Sequence, residues 1–98
     1  MLFLVISQPT PAEPSTMRAR RQSCWEWARP QLDDGTLRDV HARVGRGAVA
    51  MFDVDSNEDL HRRLTAWSEI VPAEFTVLPL VDRSVAERLL STSDEDDS

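Results

Sequence analysis

Gly35-Thr36-Leu37-Arg38-Asp39-Val40-His41-Ala42-Arg43-Val44-Gly45-Arg46-Gly47-Ala48-Val49-Ala50-Met51-Phe52-Asp53-Val54-Asp55-Ser56 is the stretch on which the fold turns. Two strand-like runs, 36–44 and 48–54, flank Gly45-Arg46-Gly47, a spacing that predicts a tight hairpin. Ser56 follows, with Asp59 three residues on, so Ser56 is the expected N-cap of a helix. Leu60, Leu64 and Trp67 recur at helical spacing and form the apolar stripe of that helix, with Arg62 and Arg63 off it.

Working outward, residues 2–7 alternate as a strand, with Leu2, Leu4 and Ile6 on one face and Phe3 and Val5 on the other. Pro9, Pro11 and Pro14 predict a stiff, irregular connection. A helix is expected from Ser15 to Asp34, stopped by Gly35. Its stripe is Met17, Arg21, Cys24, Ala28 and Leu32, flanked on opposite sides by Trp25 and Trp27, and Pro30 predicts a kink or break. Beyond Pro72, residues 75–81 read as a strand. Pro79 places that strand at a sheet edge or bulge. Residues 83–90 read as a short helix before the acidic run Asp94-Glu95-Asp96-Asp97, expected to be a solvated tail.

The order is βαββαβ, an α+β fold of ferredoxin-like type. Residues 1–82 form the expected domain and 83–98 a C-terminal extension. Three strands are apolar on both faces, yet two helices cover only one face of a four-stranded sheet. A second copy is the expected cover, giving a homodimer with sheets face to face, or a higher homo-oligomer.

Composition excludes several classes. The chain has 98 residues, enough for one core. Its net charge of -6 falls to about -2 without the acidic run, and no basic stripe exists for nucleic acid. No segment approaches a membrane span, and the apolar opening lacks the parts of a signal peptide. A single cysteine, Cys24, permits neither an intrachain disulfide nor a Cys-based zinc site. All 11 basic residues are arginine, so lysine Schiff-base chemistry is absent, and with no tyrosine there is no phenolic acid. Asp53, Asp55, Asn57 and Asp59 alternate like a calcium loop but lack its glycine and terminal glutamate. A cytoplasmic protein with no metal, flavin, haem or nicotinamide cofactor is expected.

Met1-Leu2-Phe3-Leu4-Val5, Gly35-Thr36 and Phe52-Asp53-Val54-Asp55-Ser56-Asn57-Glu58-Asp59-Leu60-His61 together resemble muconolactone delta-isomerase. The resemblance spans roughly residues 1–82. It implies a ferredoxin-like subunit of a dimeric α+β barrel, and chemistry on a small lactone or carboxylic acid by a cofactor-free proton shift. The first helix of that family carries a lysine and a glutamate where this chain has Arg21 and Cys24. Arginine still binds a carboxylate in bidentate fashion, whereas a thiol does not replace a carboxylate base. His61 matches a family residue. The aromatic-rich second strand of that family is replaced here by Leu37-Arg38-Asp39-Val40-His41-Ala42-Arg43.

Within that strand, strict alternation puts Leu37, Asp39, His41 and Arg43 on one face and Val40, Ala42 and Val44 on the other. The polar row is read as a pocket wall. His41 moves a proton, Asp39 orients it and Arg43 holds an anion. A solvated edge or a polar seam between subunits explains the same row. Arg21 lies in an apolar stripe, where a cation needs a carboxylate ligand, a paired acid or a path to solvent. Trp25 and Trp67 wall a pocket for a flat ligand, with Trp67 at its rim, or pack as core. Cys24 is read as a substrate-contacting or a packing residue. The function expected is a cofactor-free isomerase or cyclase acting on a small lactone, cyclic or polyketide-like substrate. A non-catalytic ligand-binding or assembly protein of the same fold is the alternative, as is a cofactor-free monooxygenase.

Overall fold

Alternation in the first strand sets the frame of the molecule. Phe3, Val5 and Ser7 are buried while Leu2, Leu4 and Ile6 are half-exposed, so β1 (Leu2–Pro9) has one face in the core and one open. The computed structural model describes residues 1–97, with side chains through residue 91. After β1 come α1 (Pro14–Asp33), β2 (Leu37–Ala42), β3 (Ala48–Asp53), α2 (Asn57–Ile70), β4 (Ala73–Leu80) and α3 (Arg83–Asp97). All strand pairs are antiparallel, in the order β2-β3-β1-β4. This is the ferredoxin-like βαββαβ arrangement, with β4 at an edge as Pro79 requires.

Both helices cover the face that carries Phe3, Val5, Ala50 and Phe52. Ala28 of α1 and Leu60 and Trp67 of α2 join these in one core. Trp67 is 3% exposed and stacks with Trp27, Phe52 and Phe75 at centroid distances of 5.8, 6.3 and 5.0 Å. Gln31 ties the helices together. Its amide donates to the Trp27 carbonyl at 3.1 Å, and its Oε1 accepts from Arg63 Nη1 at 2.8 Å. Asp59 holds the other end of Arg63, accepting from Nε at 3.2 Å, and also accepts from Arg62. Ser56 caps α2 as expected, accepting from the Asp59 backbone N–H at 3.0 Å.

Several boundaries differ from the sequence reading. Pro9 closes β1 opposite Ala73 instead of lying outside the strand. There it is a terminal residue, where a missing ladder N–H costs little. Pro30 does not break α1, which continues to Asp33, and the Asp34 N–H bonds the Pro30 carbonyl at 3.1 Å. The proline is within a turn of the helix end, so one lost bond is tolerated beside a buried Ala28 and Gln31. α3 runs to Asp97, beyond the short helix expected over 83–90. The solvated state expected for the acidic tail lies outside the residues whose side chains are described.

Neither α1 nor α2 covers the second sheet face. Across it run the rows Asp39–Met51–Leu4–Leu78 and His41–Val49–Ile6–Thr76, with Leu2 opposite Leu80. Leu78 and Leu80 are 43% and 37% exposed.

The β2–β3 turn holds Gly45 and Gly47 at φ of 98° and 96°. A Cβ on Gly45 would meet nothing, whereas one on Gly47 would drive into the Ser7 carbonyl of β1. Gly45→Ala is therefore expected to cost about 1–2 kcal/mol, from backbone strain alone. Gly47→Ala is expected to cost roughly 2 kcal/mol more, from overpacking. Urea denaturation of both variants checks the difference.

Candidate active site

The register of β2 shifts between Leu37 and Asp39. Leu37 pairs with Phe52, but Asp39 pairs with Met51, Val40 with Ala50, His41 with Val49 and Ala42 with Ala48. Arg38 is the extra residue of a bulge, and beyond it the alternation is inverted. Leu37, Val40 and Ala42 therefore share the helix-covered face with Phe52, Ala50 and Ala48. Asp39 and His41 share the open face with Met51 and Val49. Of the row expected to wall the pocket, Asp39 and His41 thus lie on the open face. The strand contributes apolar side chains to the covered face instead.

Between α1 and this apolar face lies a cavity of about 300 Å³, at the small end of ligand pockets and suited to a single-ring molecule. Leu37, Val40, Ala50, Phe52, Trp67 and Val71 line its sheet and α2 side. Met17, Arg21, Cys24, Trp25, Trp27 and Ala28 line its α1 side. Arg43, Gly45, Arg46 and Gly47 form the turn beside it, next to Ser7 and Pro9. Among the described residues, no aspartate or glutamate lines it.

Six of the expected residues meet at this cavity: Arg21, Cys24, Trp25, His41, Arg43 and Trp67. His41 reaches it only from the sheet edge, and its side chain is 72% exposed. Its Nε2 lies 2.9 Å from Asp39 Oδ2, and Asp39 Oδ1 accepts the Val40 backbone N–H at 3.0 Å. A carboxylate only accepts, so Nε2 carries the proton of this bond, and in the neutral imidazole that leaves the lone pair on Nδ1. Asp39 does not itself line the cavity and acts on it only through His41. Arg43 leans over β1, donating from Nη1 to the Ser7 carbonyl at 3.4 Å.

Trp67 is core rather than rim, because the aromatic stack of Trp27, Phe52 and Phe75 surrounds it. Trp25, 44% exposed, lines the cavity from α1. His61 lies away from the cavity, exposed in the early part of α2, where its carbonyl accepts from Thr65 Oγ1 at 2.8 Å. Arg46, Trp27 and Ser7 are cavity residues that the sequence reading did not single out. For Arg46 the signal was its place between two turn glycines. For Trp27 it was the edge of the α1 stripe. Among the described residues, no cluster of three or more His, Cys, Asp or Glu could hold a metal ion. None of the described helices is long and apolar enough to cross a membrane.

The fold and its cavity define a ferredoxin-like α+β subunit of the muconolactone-isomerase type. Muconolactone isomerase itself superimposes with a TM-score of 0.66 at 24% identity, covering 85% of this chain and 91% of that one. The 5-chloro-2-hydroxyhydroquinone dehydrochlorinase of Burkholderia phenoliruptrix AC1100, solved with 2,5-dihydroxybenzoquinone, gives 0.65 at 12% identity, covering 86% and 97%. At these identities the likeness establishes the fold. The chain belongs to the family described as a domain of unknown function (DUF3303), whose profile matches residues 1–93. A search of curated proteins finds no match.

Cys24 is half-buried in the cavity wall. Burial pushes its thiol pKa up, and a hydrogen bond with Trp67 only partly offsets this. A raised pKa keeps the thiol protonated at neutral pH, so its nucleophilicity is low. Iodoacetamide is expected to alkylate Cys24 at pH 7.5 more slowly than it alkylates a free cysteine peptide. The rate should rise with pH to a midpoint on the alkaline side of the peptide's, read by mass spectrometry.

Proposed function

We propose that the protein is an isomerase or cyclase that shifts a proton on a small cyclic, lactone or polyketide-like anion, without a cofactor. The observation that carries this reading is the meeting of an oriented imidazole with guanidinium groups at one aromatic-walled cavity. In the proposed cycle, His41 Nδ1 takes a proton from the carbon next to a carbonyl. Arg43 and Arg21 hold the carboxylate and the enolate that forms. The imidazolium, open to solvent and able to exchange its proton there, delivers a proton to a second carbon of the conjugated system, so substrate and product are isomers. Asp39 fixes the tautomer that leaves Nδ1 free. Trp25 and Trp67 flank the ring, and Cys24 contacts it as a neutral thiol. His61 has no part in this cycle.

The unit that acts is residues 1–82, with 83–98 as an extension, in a cytoplasmic homodimer or a multiple of one. Two copies placed with their open faces together bury the rows of Leu4, Met51, Leu78, Ile6 and Val49. A second reading, ligand binding without turnover, is favoured by the absence of any carboxylate among the described residues of the lining.

Two measurements test these readings. Proton NMR in D2O, with muconolactone as the first probe of a lactone panel, follows carbon-bound hydrogen exchanging for deuterium. Wild type is expected to exchange it, and His41→Ala to slow exchange by about 10²-fold or more while largely sparing binding. Equal exchange by the two proteins contradicts the proton-transfer role, and binding with no exchange by either selects the second reading. Light scattering at micromolar concentration is expected to give at least twice the chain mass, and a stable monomer removes the face-to-face pairing.

A further inference from the structure

Of the 11 arginines of this chain, seven bear on the cavity argument. Arg38, Arg62, Arg63 and Arg83 each pair with a carboxylate, on Asp53, Asp59, Asp59 and Glu87 respectively. Arg21, Arg43 and Arg46 line the cavity, and none of them is in an ion pair with a described carboxylate. Three arginines therefore line one small, mostly apolar space in a chain of net charge -6. Like charges repel, and an acidic residue in the lining would relieve that repulsion. None is present among the described residues.

A single carboxylate occupies one guanidinium fork, or bridges two. The third cation is then in excess. Its placement is specific. Arg46 is the tip residue of the β2–β3 turn, between Gly45 and Gly47, both at positive φ. Gly47 lies so close to the Ser7 carbonyl that a Cβ there would clash with it. Arg43, at the base of the same turn, donates its backbone N–H to the Gly47 carbonyl at 2.9 Å and its Nη1 to Ser7. One turn tied to β1 thus carries two of the cations that line the cavity, and α1 carries the third, Arg21.

We propose that the ligand of this cavity carries two anionic groups on one flat ring, with Arg46 as the clamp for the second. The inference rests on the cavity being the ligand site, and it narrows the substrate class from a cyclic anion to a cyclic dianion such as a ring dicarboxylate. Trp25, Trp27 and the Phe52–Trp67 pair supply the apolar walls for the ring body. Arg46 is a specificity-determining residue here, distinct from the proton-moving His41.

The test uses the full chain and four probes: benzoate, phthalate, isophthalate and terephthalate, titrated by calorimetry with tryptophan fluorescence as a second readout. At least one dicarboxylate is expected to bind about tenfold or more tightly than benzoate, with the advantage shrinking as salt rises. Arg46→Gln should bring that dicarboxylate to within about threefold of benzoate, weakening the dicarboxylate far more than it weakens benzoate. Arg46→Lys should restore part of the difference. Near-ultraviolet circular dichroism of each variant reports on folding of the tryptophan-lined region. Dicarboxylates no tighter than benzoate overturn the dianion inference and leave the cavity reading standing. A preference that persists in Arg46→Gln overturns the role of Arg46. Failure of all four probes to bind overturns the cavity as an anion site, and this inference with it.

Discussion

One extra residue in β2 decides what the helices and the cavity meet. Arg38 is accommodated as a bulge, so Leu37 and Val40 sit three apart in sequence yet point to the same face. Without it, Asp39 and His41 would be driven under α1 in place of Val40 and Ala42, and two polar side chains would replace apolar packing there. With it, the helix-facing side of the sheet is apolar from Phe3 to Ala42, and the cavity acquires walls that a flat ring can contact. Arg38 itself turns outward and pairs with Asp53 at 3.4 Å, so the bulged residue is exposed and its charge is partnered.

The same bulge separates two kinds of chemistry that the sequence places side by side. The Asp39–His41 pair stays at the strand edge, hydrogen-bonded and open to solvent. The cations Arg43 and Arg46 arrive from the turn beyond the strand, where backbone alternation no longer dictates direction. In the proposed cycle, anion recognition thus comes from the turn and from α1, while proton movement comes from the edge of β2. On the far side of the sheet, Leu4, Ile6, Val49 and Met51 make an apolar surface on which Asp39 and His41 form the polar end. Any partner on that surface would change the water around the imidazole.

Much of this was legible from residues alone. The Gly45–Gly47 turn, the Ser56 cap and the Leu60, Leu64, Trp67 stripe are local signals that tertiary packing had no reason to override, and they fixed the βαββαβ order. Membership of the cavity was readable for Arg21, Cys24, Trp25 and Arg43, because a cation within an apolar stripe and a polar residue beside a hairpin turn point to a cleft. Strand direction was not readable. A bulge leaves no compositional mark at Arg38, and period-two counting carried the wrong parity through every later residue of β2. His61 misled for a different reason. Sequence likeness at a helix start says nothing about which way a solvent-facing position looks. Pro30 misled because a rule for helix interiors was applied within a turn of a helix end.

The account stands or falls on the inverted alternation of β2, and methyl and ring proton NMR on the labelled protein reads it directly. The bulged register predicts nuclear Overhauser contacts between the Val40 methyls and the Ala50 methyl, and between the His41 ring and the Val49 methyls. Contacts from the Asp39 β-protons to Ala50 and from the His41 ring to Ala48 would show an unbulged strand with the polar row under α1, and would contradict it.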